Sequence, residues 1–491
     1  MTSIYGDAYG ISAAEGNDTI SNLGTLSVTG NSPIGISTGL GMDMVLNTGN
    51  LFATGADSTN GSSTGILVEG GLNNIIRNTG ALEATTNVET STDESEVNSE
   101  AIGISLSGEE HIVSNSGSVT VKAIAFSDPG NFLPFDEAEG HAKGKAAGIL
   151  NYIGSSTITN SGTLKVDSML TADANAESFS NAEATATIDT SWLSGIETGS
   201  EDDVITNSGD ISLLFKSNAE ADAVGIGTPI FFLFAKAAAT ATIESSNVYG
   251  IDVDEGNNEI TNEGKLNITI DAVVETDAAV LALTALNSDA TAKIEDLVVV
   301  GINAGDDKNM ITNIGSITLA ADHLEALATA SGTTDGDAVA SVTASFYGIK
   351  SGTGQNHIMN DASGVISVQT SVRANADSFA PISGSSTATT NVSAYGIYDR
   401  GSVNGGGPNV IINQGTINAY AEASSKGAHS GSSSFSSKAS AYGIYVDGSV
   451  DDGSNVIINQ GTITAVGKGI EAIVVGIQGG RASILFKTLE Y

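Results

Sequence analysis

One short phrase recurs along most of this chain and limits what the chain can fold into. Residues 158–164 read ITNSGTL, and near copies read ITNSGDI, ITNEGKL, ITNIGSI and, twice, IINQGTI. A catalytic constellation is needed only once, whereas a phrase repeated along a chain describes how that chain stacks on itself. The sequence therefore predicts a repeat architecture.

A Gly-Ile pair precedes each phrase at a nearly constant distance. The Asn of the phrase follows the Gly by 12 residues in eight copies, by 13 in one, and by 17 and 16 in the last two. Apolar residues recur at even spacings around these markers, as at Ile158, Leu164 and Val166, and clusters of Gly, Asn, Asp and Ser bound them. This pattern predicts β-strands and excludes the helical repeat arrays.

The distance between successive Gly-Ile pairs predicts the size of one coil. The pairs lie 25 to 55 residues apart, and these spacings fall near one or two times about 24. We therefore predict an all-β, single-stranded parallel β-helix (β-solenoid) over residues 1–480, with about 20 coils of roughly 22–27 residues. Early repeats supply one coil, and later repeats add a second, Ala-rich coil. At ~4.8 Å per coil, the rod is on the order of 100 Å long.

The Asn and Gly of each phrase are predicted to form structural turns at the coil corners, because both residues enter the left-handed region at low cost. Stacked Asn side chains can bond amide to amide, but copies two coils apart predict a broken ladder. Strand parity leaves open whether the Asn is buried or the corner resets the alternation. The turn residues are Asn22, Gly24, Asn47, Gly49, Asn78, Gly80, Asn115, Gly117, Asn160, Gly162, Asn207, Gly209, Asn262, Gly264, Asn313, Gly315, Asn413, Gly415, Asn459 and Gly461.

Charge and composition exclude several classes of function. The chain has 18 Lys plus Arg against 57 Asp plus Glu, a formal net charge of −39. Nucleic acid and anionic membrane surfaces are disfavoured partners, because both require clustered cations. The absence of Cys excludes disulfides and thiolate sites, and no apolar run approaches the ~18 residues of a membrane span. We predict no membrane insertion and find no recognisable export signal in the opening residues.

The repeated phrases resemble those of the β-helical passenger regions of autotransporter-type adhesins, in which Asn-x-Gly-Thr-Ile phrases recur along a right-handed parallel β-helix. The resemblance extends over residues 1 to about 480 and rests on an architectural motif. It implies a bacterial cell-surface or secreted protein displayed as a rod. The chain departs from such proteins in showing neither a signal peptide nor a C-terminal membrane barrel.

These observations predict an extracellular structural protein, either a surface adhesin stalk or a subunit of a filament that assembles end to end. Its expected partners are further copies of itself, or a glycan on a host or neighbouring-cell surface. The alternative is a β-helical polysaccharide lyase or tailspike-like hydrolase. Its candidate pieces are the acidic pair Glu109 and Glu110, the acidic run 201–203 and the lone Trp192. No catalytic or cofactor-binding residue is predicted.

Metal binding is a weaker prediction. The acidic turns at 253–259, 305–309 and 450–455 offer carboxylates and carbonyls to Ca²⁺. They match neither an EF-hand loop nor a glycine-aspartate nonapeptide. The five His lie far apart in different repeats and are predicted to be surface or turn residues. No residue is therefore assigned as a metal ligand.

Two segments interrupt the repeat and are predicted to be insertions. The segment near 125–145 contains two Pro and three Phe, and the segment near 227–237 is the most apolar stretch of the chain. Loops that leave a repeat scaffold are common binding surfaces. The predicted partner contacts are Phe132, Phe135, Phe231, Phe232 and Phe234.

Overall fold

The computed structural model describes residues 7–91, 95–128, 136–178, 181–226, 235–281, 287–380, 383–401, 409–428, 431–447, 455–478 and 482–486. Every regular element in these ranges is a β-strand, and all strand pairs are parallel. The same ranges hold no helix, and so no apolar helix of membrane-spanning length.

The strands form three sheets. The Gly-Ile sheet comprises Asp7–Ser12, Ser32–Thr38, Asn60–Leu72, Ser95–Glu109, Asp136–Asn151, Asn181–Ile188, Trp192–Thr198, Lys236–Ile243, Asn247–Val253, Asn287–Ala304, Asp335–Ser351, Ser385–Asp399, Ser432–Val446 and Glu471–Gln478. The Asn sheet comprises Thr19–Asn22, Met44–Asn47, Ile75–Asn78, His111–Asn115, Ser156–Asn160, Val204–Asn207, Glu259–Asn262, Met310–Asn313, His357–Asn360, Asn409–Asn413, Asn455–Asn459 and Ala482–Phe486. The return sheet comprises Thr25–Gly30, Asn50–Asp57, Ala81–Thr90, Ser118–Ser127, Thr163–Ser178, Asp210–Ile226, Lys265–Leu281, Ser316–Ser331, Val365–Phe379, Thr416–Lys426 and Thr462–Lys468.

Each repeat forms one coil, in which the chain passes through the three sheets in this order. Asn115 pairs with Asn160, and Asn160 pairs with Asn207, so copies of the phrase occupy adjacent coils. The prediction of a parallel β-solenoid is confirmed. The prediction of about 20 short coils is wrong, because the Asn sheet has 12 strands. At ~4.8 Å per strand the described body is about 58 Å long, not 100 Å.

The Ala-rich segments lengthen the strands and do not form coils of their own. Thr163–Ser178 pairs along its whole length with Asp210–Ile226, in the return sheet. The matching part of the Gly-Ile sheet is Asn181–Ile188, which pairs with Lys236–Ile243. Buried Ala residues such as Ala174 line the inner faces of both sheets. The long coils are therefore flat and wide, because a 17-residue strand spans about 56 Å.

The main hydrophobic core runs along the axis from Ile20 to Ile457, and Ile102, Ala147 and Leu150 form a small separate cluster. Each column of the core repeats one kind of side chain, as Ile158, Ile205 and Ile260 do in the Asn sheet, each fully buried. Full burial of one such side chain stabilises the fold by about 1.5–3 kcal/mol. The aliphatic residues at fixed offsets in the sequence are thus the inward positions of successive coils.

The two predicted insertions lie mostly in strands or outside the described ranges. Residues 125–127 end the strand Ser118–Ser127, and residues 136–145 begin Asp136–Asn151. Residues 235–237 lie at or beside the start of the strand Lys236–Ile243. The sequence of residues 481–491 predicts a strand-like tail that either caps the solenoid or contacts another copy. Within this tail, Ala482–Phe486 pairs with Asn455–Asn459 as the twelfth strand of the Asn sheet. The predicted contact residues Phe132, Phe135, Phe231, Phe232 and Phe234 lie outside the described residues.

Candidate functional site

The Asn of the repeated phrase forms an unbroken ladder along the axis, which we call the Asn ladder. Its members are Asn22, Asn47, Asn78, Asn115, Asn160, Asn207, Asn262, Asn313, Asn360, Asn413 and Asn459. Each Nδ2 donates a hydrogen bond of 2.7–2.8 Å to Oδ1 of the next member. The predicted break is wrong, because one repeat is one coil.

Strand parity left open whether the Asn side chains are buried or the corner resets the alternation, and the structure shows that all but the last of them are buried. Asn207 is 0% exposed, as are its neighbours in the ladder, so the side chain points inward. The second Nδ2 proton also has an acceptor in several coils: Asn78 donates to the carbonyl oxygen of Ser118 at 3.1 Å. Buried amides are inexpensive only when they are hydrogen-bonded, and the in-register stack provides the partners.

The Gly of the phrase is needed for space between coils. None of the described corner glycines from Gly24 to Gly461 has a φ in the left-handed region, so the predicted left-handed turn is wrong. A Cβ placed on Gly209 would lie 2.0 Å from the carbonyl oxygen of Gly162 in the preceding coil. The glycine of the Gly-Ile pair is equally confined, because a Cβ on Gly250 would lie 2.5 Å from the carbonyl oxygen of Gly301.

A second polar ladder lies where the chain enters each strand of the Asn sheet. In most coils a side-chain Oδ1 accepts the backbone N–H of the equivalent residue in the preceding coil. Asn258 accepts from Asp203 at 2.9 Å, and Asn409 accepts from Asn356 at 2.8 Å. Burial raises the pKa of Asp203, a member of this ladder, to about 6. The members are Asp18, Asp43, Asn74, His111, Ser156, Asp203, Asn258, Asn309, Asn356, Asn409 and Asn455.

His111 interrupts the second ladder. It is 1% exposed, and neither ring nitrogen has a hydrogen-bond partner within the described part of the chain. Burial lowers its pKa. The prediction that the His residues are surface or turn residues is therefore wrong for His111, which is buried in the strand His111–Asn115.

We expect His111→Asn to raise the free energy of unfolding by about 1 kcal/mol, because an Asn at this position supplies an Oδ1 acceptor for the Asn74 N–H. Urea denaturation measures the change. His323→Asn is the matched control and is expected to have little effect, because the His323 side chain is 66% exposed. A marked loss of stability in His111→Asn would show that packing of the imidazole outweighs the hydrogen bonds.

The Gly-Ile pair bends its strand and creates a groove on the outer surface, which we call the corner groove. Phe346 and Ile349 both point inward, although they are three residues apart, while Tyr347 and Lys350 both lie on the outside. Residues on either side of the bend therefore face each other across the groove. In chain order these facing pairs are Tyr9/Ser12, Ile34/Ser37, Thr64/Leu67, Ile102/Ser105, Ala147/Leu150, Ser194/Glu197, Tyr249/Asp252, Val300/Asn303, Tyr347/Lys350, Tyr395/Tyr398, Tyr442/Tyr445 and Val475/Gln478.

The middle of the corner groove carries two carboxylates on adjacent coils. Trp192 Nε1 donates to Glu197 Oε2 at 2.8 Å, and the Ser194 hydroxyl donates to the same oxygen at 2.8 Å. Asp252, the register partner of Glu197, accepts from Asn303 Nδ2 at 2.7 Å and is 5% exposed. Burial, together with the nearby Glu197 carboxylate, raises the pKa of Asp252 to about 7 against the opposing effect of the Asn303 hydrogen bond.

The far part of the corner groove is lined by tyrosines. Tyr347, Tyr395 and Tyr442 stack along the axis with ring centroids 4.9 Å apart, which is the spacing of the coils. Tyr398 and Tyr445 stack in the same way on the opposite side, and the two columns meet edge to face. Aromatic pairs of this kind contribute about 0.5–1.5 kcal/mol each beyond their buried area.

Carboxylates also stack in register on the outer face of the return sheet. Asp173 pairs with Glu220, and Asp222 pairs with Asp277 in the neighbouring column. Burial raises the pKa of Asp173 to about 6, and the charges of Asp128 and Glu220 add to the shift. Burial likewise raises the pKa of Asp222 to about 6, with contributions from Glu220 and Asp277.

We expect the solenoid to become more stable as the pH falls from 7.5 to 5.5. The pKa values of Asp173, Asp203, Asp222 and Asp252 lie above their ordinary value of 3.8 in the folded chain. Folding therefore takes up protons in this range, and the stabilisation is lost as the pH rises through about 6 to 7. Urea midpoints at the two pH values measure the effect. Asp252→Asn should flatten the response near pH 7, and a lower midpoint at pH 5.5 would contradict the sign.

The acidic residues considered for catalysis do not converge, and the acidic turns considered for Ca²⁺ line one cavity through Asp254, Glu255 and Asp306 without forming a metal-binding group among the described residues. Asp202 Oδ1 accepts the backbone N–H of Asn257, and Asp306 Oδ1 accepts the N–H of Thr353. Glu109 and Glu110 are both exposed. Nowhere in the described ranges do three or more His, Asp or Glu side chains form a group that could hold a metal ion; residues 450–454 of the third acidic turn lie outside those ranges.

The chain was compared with protein-family models, curated proteins and solved structures, and nothing in any of the three comparisons matches it. The ladders, the core and the corner groove are therefore the features that bear on the function of this chain. Sequence reasoning missed the corner groove and the Glu197–Asp252 pair. The signal that marks them is the pair of outward residues that flank each Gly-Ile.

Proposed function

We propose that this chain is an extracellular structural protein, a β-solenoid displayed at a bacterial cell surface as the stalk of an adhesin. The observation that carries the proposal is the Asn ladder with its continuous core. Ten amide-to-amide bonds and one aliphatic column join eleven coils without interruption. Such a body holds its shape over its full length, which suits a scaffold that keeps its outer faces at a fixed position.

Charge supports the same role. A formal net charge of −39 favours solubility and opposes self-association between lateral faces. In the corner groove, Asp252 accepts from Asn303 on the adjacent coil, whereas Glu197 accepts from Trp192 and Ser194 of its own strand. We therefore assign Asp252 to joining adjacent coils and Glu197 to fixing its own strand, and propose no catalytic role. We propose a ligand on a host or neighbouring cell as the partner of the displayed surface.

Antibodies raised against the purified chain test surface display. We expect them to label intact cells of the source organism, and we expect external protease to abolish this labelling. Antibodies against a cytoplasmic protein serve as the control for membrane integrity. Labelling that requires permeabilised cells would contradict the proposal.

A filament subunit is the second candidate, and the last described coil favours it. Ile473 and Val474 are 39% and 49% exposed there, whereas their register partners in the preceding coil, Ser440 and Ala441, are buried. An exposed apolar edge with unpaired backbone groups recruits further strands. Electron microscopy of the purified chain distinguishes the candidates, because a filament subunit forms fibres whose number rises with concentration and a stalk stays monomeric.

A glycan-active enzyme is the third candidate, and the Glu197–Asp252 pair beside Trp192 favours it. Paired carboxylates are the machinery of glycoside hydrolysis, and burial raises the pKa of Asp252 as a general acid requires. The measurement is release of reducing ends from acidic and neutral polysaccharides. Activity lost in both Glu197→Gln and Asp252→Asn would establish the enzyme, and its absence in the wild-type chain against these polysaccharides favours the scaffold.

A further inference from the structure

A cavity of about 500 Å³ opens at one side of the corner groove, where the Gly-Ile strands of five successive coils turn toward the Asn sheet. Its wall includes Asn303, Lys350 and Arg400 together with the turn carboxylates of Asp254, Glu255 and Asp306. The cavity lies beside the tyrosine columns, because Lys350 Nζ also stands 5.6 Å from the centroid of the Tyr347 ring.

The two cations in this cavity form no direct ion pair in the part of the chain that the structure describes. Within the described ranges, neither Lys350 nor Arg400 has a carboxylate at ion-pair distance, whereas Lys165 and Arg373 each have one at 2.9 and 3.1 Å. Burial lowers the pKa of Lys350, the charge of the Asp252 carboxylate raises it, and the charge of Arg400 on the next coil lowers it again. A bound anion would relieve this repulsion.

The remaining groups of the cavity suit hydroxyl groups. The Asn303 amide offers a donor and an acceptor, and the carboxylates of Asp254 and Glu255 offer acceptors. A sugar hydroxyl both donates and accepts, so it can bond to each of them. The Tyr347 ring adds an aromatic side to the site next to Lys350. A ligand with one carboxylate and several hydroxyls therefore satisfies both kinds of group.

We propose that this cavity binds a carboxylate-bearing sugar unit of an acidic polysaccharide, with Lys350 and Arg400 on the carboxylate and Asn303 and Asp254 on the hydroxyls. The inference deepens the proposed adhesive role and rests on it, because it names the class of ligand that a displayed surface would capture. Carboxylate recognition by two cations weakens as the salt concentration rises.

Isothermal titration of the full chain with trigalacturonate tests the inference, and cellotriose is the neutral probe. We expect trigalacturonate to bind and cellotriose to bind more weakly. Lys350→Gln and Arg400→Gln should each weaken trigalacturonate binding by about tenfold or more, because each removes a charged hydrogen bond. Lys265→Gln is the matched control and should bind as the wild type does, because Lys265 is exposed on the return sheet and lies outside the cavity.

Three outcomes would overturn the inference. These are no binding of trigalacturonate, equal binding of both probes, and equal loss in Lys265→Gln and the two cavity variants. Circular dichroism of each variant separates loss of binding from loss of fold. Failure here together with successful labelling of intact cells leaves the proposed surface display standing, whereas failure of cell labelling removes the surface display on which this inference rests.

Discussion

Replacing Asn207 with alanine should reduce the free energy of unfolding by about 4 kcal/mol. The change removes two hydrogen bonds of the Asn ladder, because Asn160 donates to Asn207 and Asn207 donates to Asn262, each at 2.8 Å. It leaves an Asn160 proton and the Asn262 oxygen unpaired in a fully buried position. Each orphaned buried group costs about 1–3 kcal/mol. Urea denaturation measures the loss, and hydrogen exchange should locate it in the coils around Asn207.

Asn459→Ala is the matched control for this variant. Asn459 is the last member of the Asn ladder and is partly exposed, so water can replace the bond that is lost. We expect a loss of about 1 kcal/mol or less. Equal losses in the two variants would mean that the ladder contributes little beyond its side-chain packing.

Gly209→Ala should have the largest effect of the substitutions considered. A Cβ at this corner would lie 2.0 Å from the carbonyl oxygen of Gly162, which also accepts the N–H of Asp210 at 2.9 Å. Relief of the clash separates two coils and breaks backbone bonds of the stack. We expect a loss of more than about 4 kcal/mol, measured as the urea midpoint of the soluble fraction or as failure to obtain soluble protein.

Gly24→Ala separates this steric effect from the general cost of changing a glycine. Gly24 occupies the same place in the phrase, but no atom lies within 4 Å of the position that its Cβ would take. We expect Gly24→Ala to change stability by no more than about 0.5 kcal/mol. If Gly24→Ala were as damaging as Gly209→Ala, then backbone conformation and not the contact between coils would explain why Gly recurs in the phrase.

The class of fold could be predicted because its determinants are local. Alternation by twos at Ile158, Leu164 and Val166 places these side chains on one face of their strands, and all three are fully buried. The recurrence of Asn-x-Gly fixes the place where each strand of the Asn sheet ends. Both signals lie within about ten residues of sequence, and strand period and turn chemistry operate on that scale.

The number of coils could not be predicted from spacing, because strand length is not fixed by the period of the repeat. The return-sheet strand Thr163–Ser178 continues for 16 residues by alternating Ala with polar side chains. It contains no second Asn-x-Gly phrase. The absence of a corner signal in the Ala-rich segments therefore indicated longer strands. The prediction of about 20 coils was wrong because it assumed a coil of constant size.

The corner groove was hidden from sequence reasoning for a different reason. Regular alternation places residues three apart on opposite faces of a strand, yet Tyr395 and Tyr398 have ring centroids 5.4 Å apart. The bend at Gly396 resets the alternation, because Gly396 and Ile397 are consecutive and both are buried. Gly is required at 396 because a Cβ there would clash with Gly443 in the next coil and with Ile417 in the return sheet. Neither contact is visible in the local sequence.

The stacking of one repeat per coil is the claim on which the ladders and the groove depend, and a pair of cysteines tests it most directly. Thr206 and Thr261 are register partners in adjacent coils, separated by ~4.8 Å, within the range that a disulfide spans. The chain has no native Cys. We predict that Thr206→Cys with Thr261→Cys forms a disulfide on mild oxidation, and that Thr206→Cys with Thr312→Cys, two coils apart, does not. Absence of the first bond in soluble, folded protein would contradict the account.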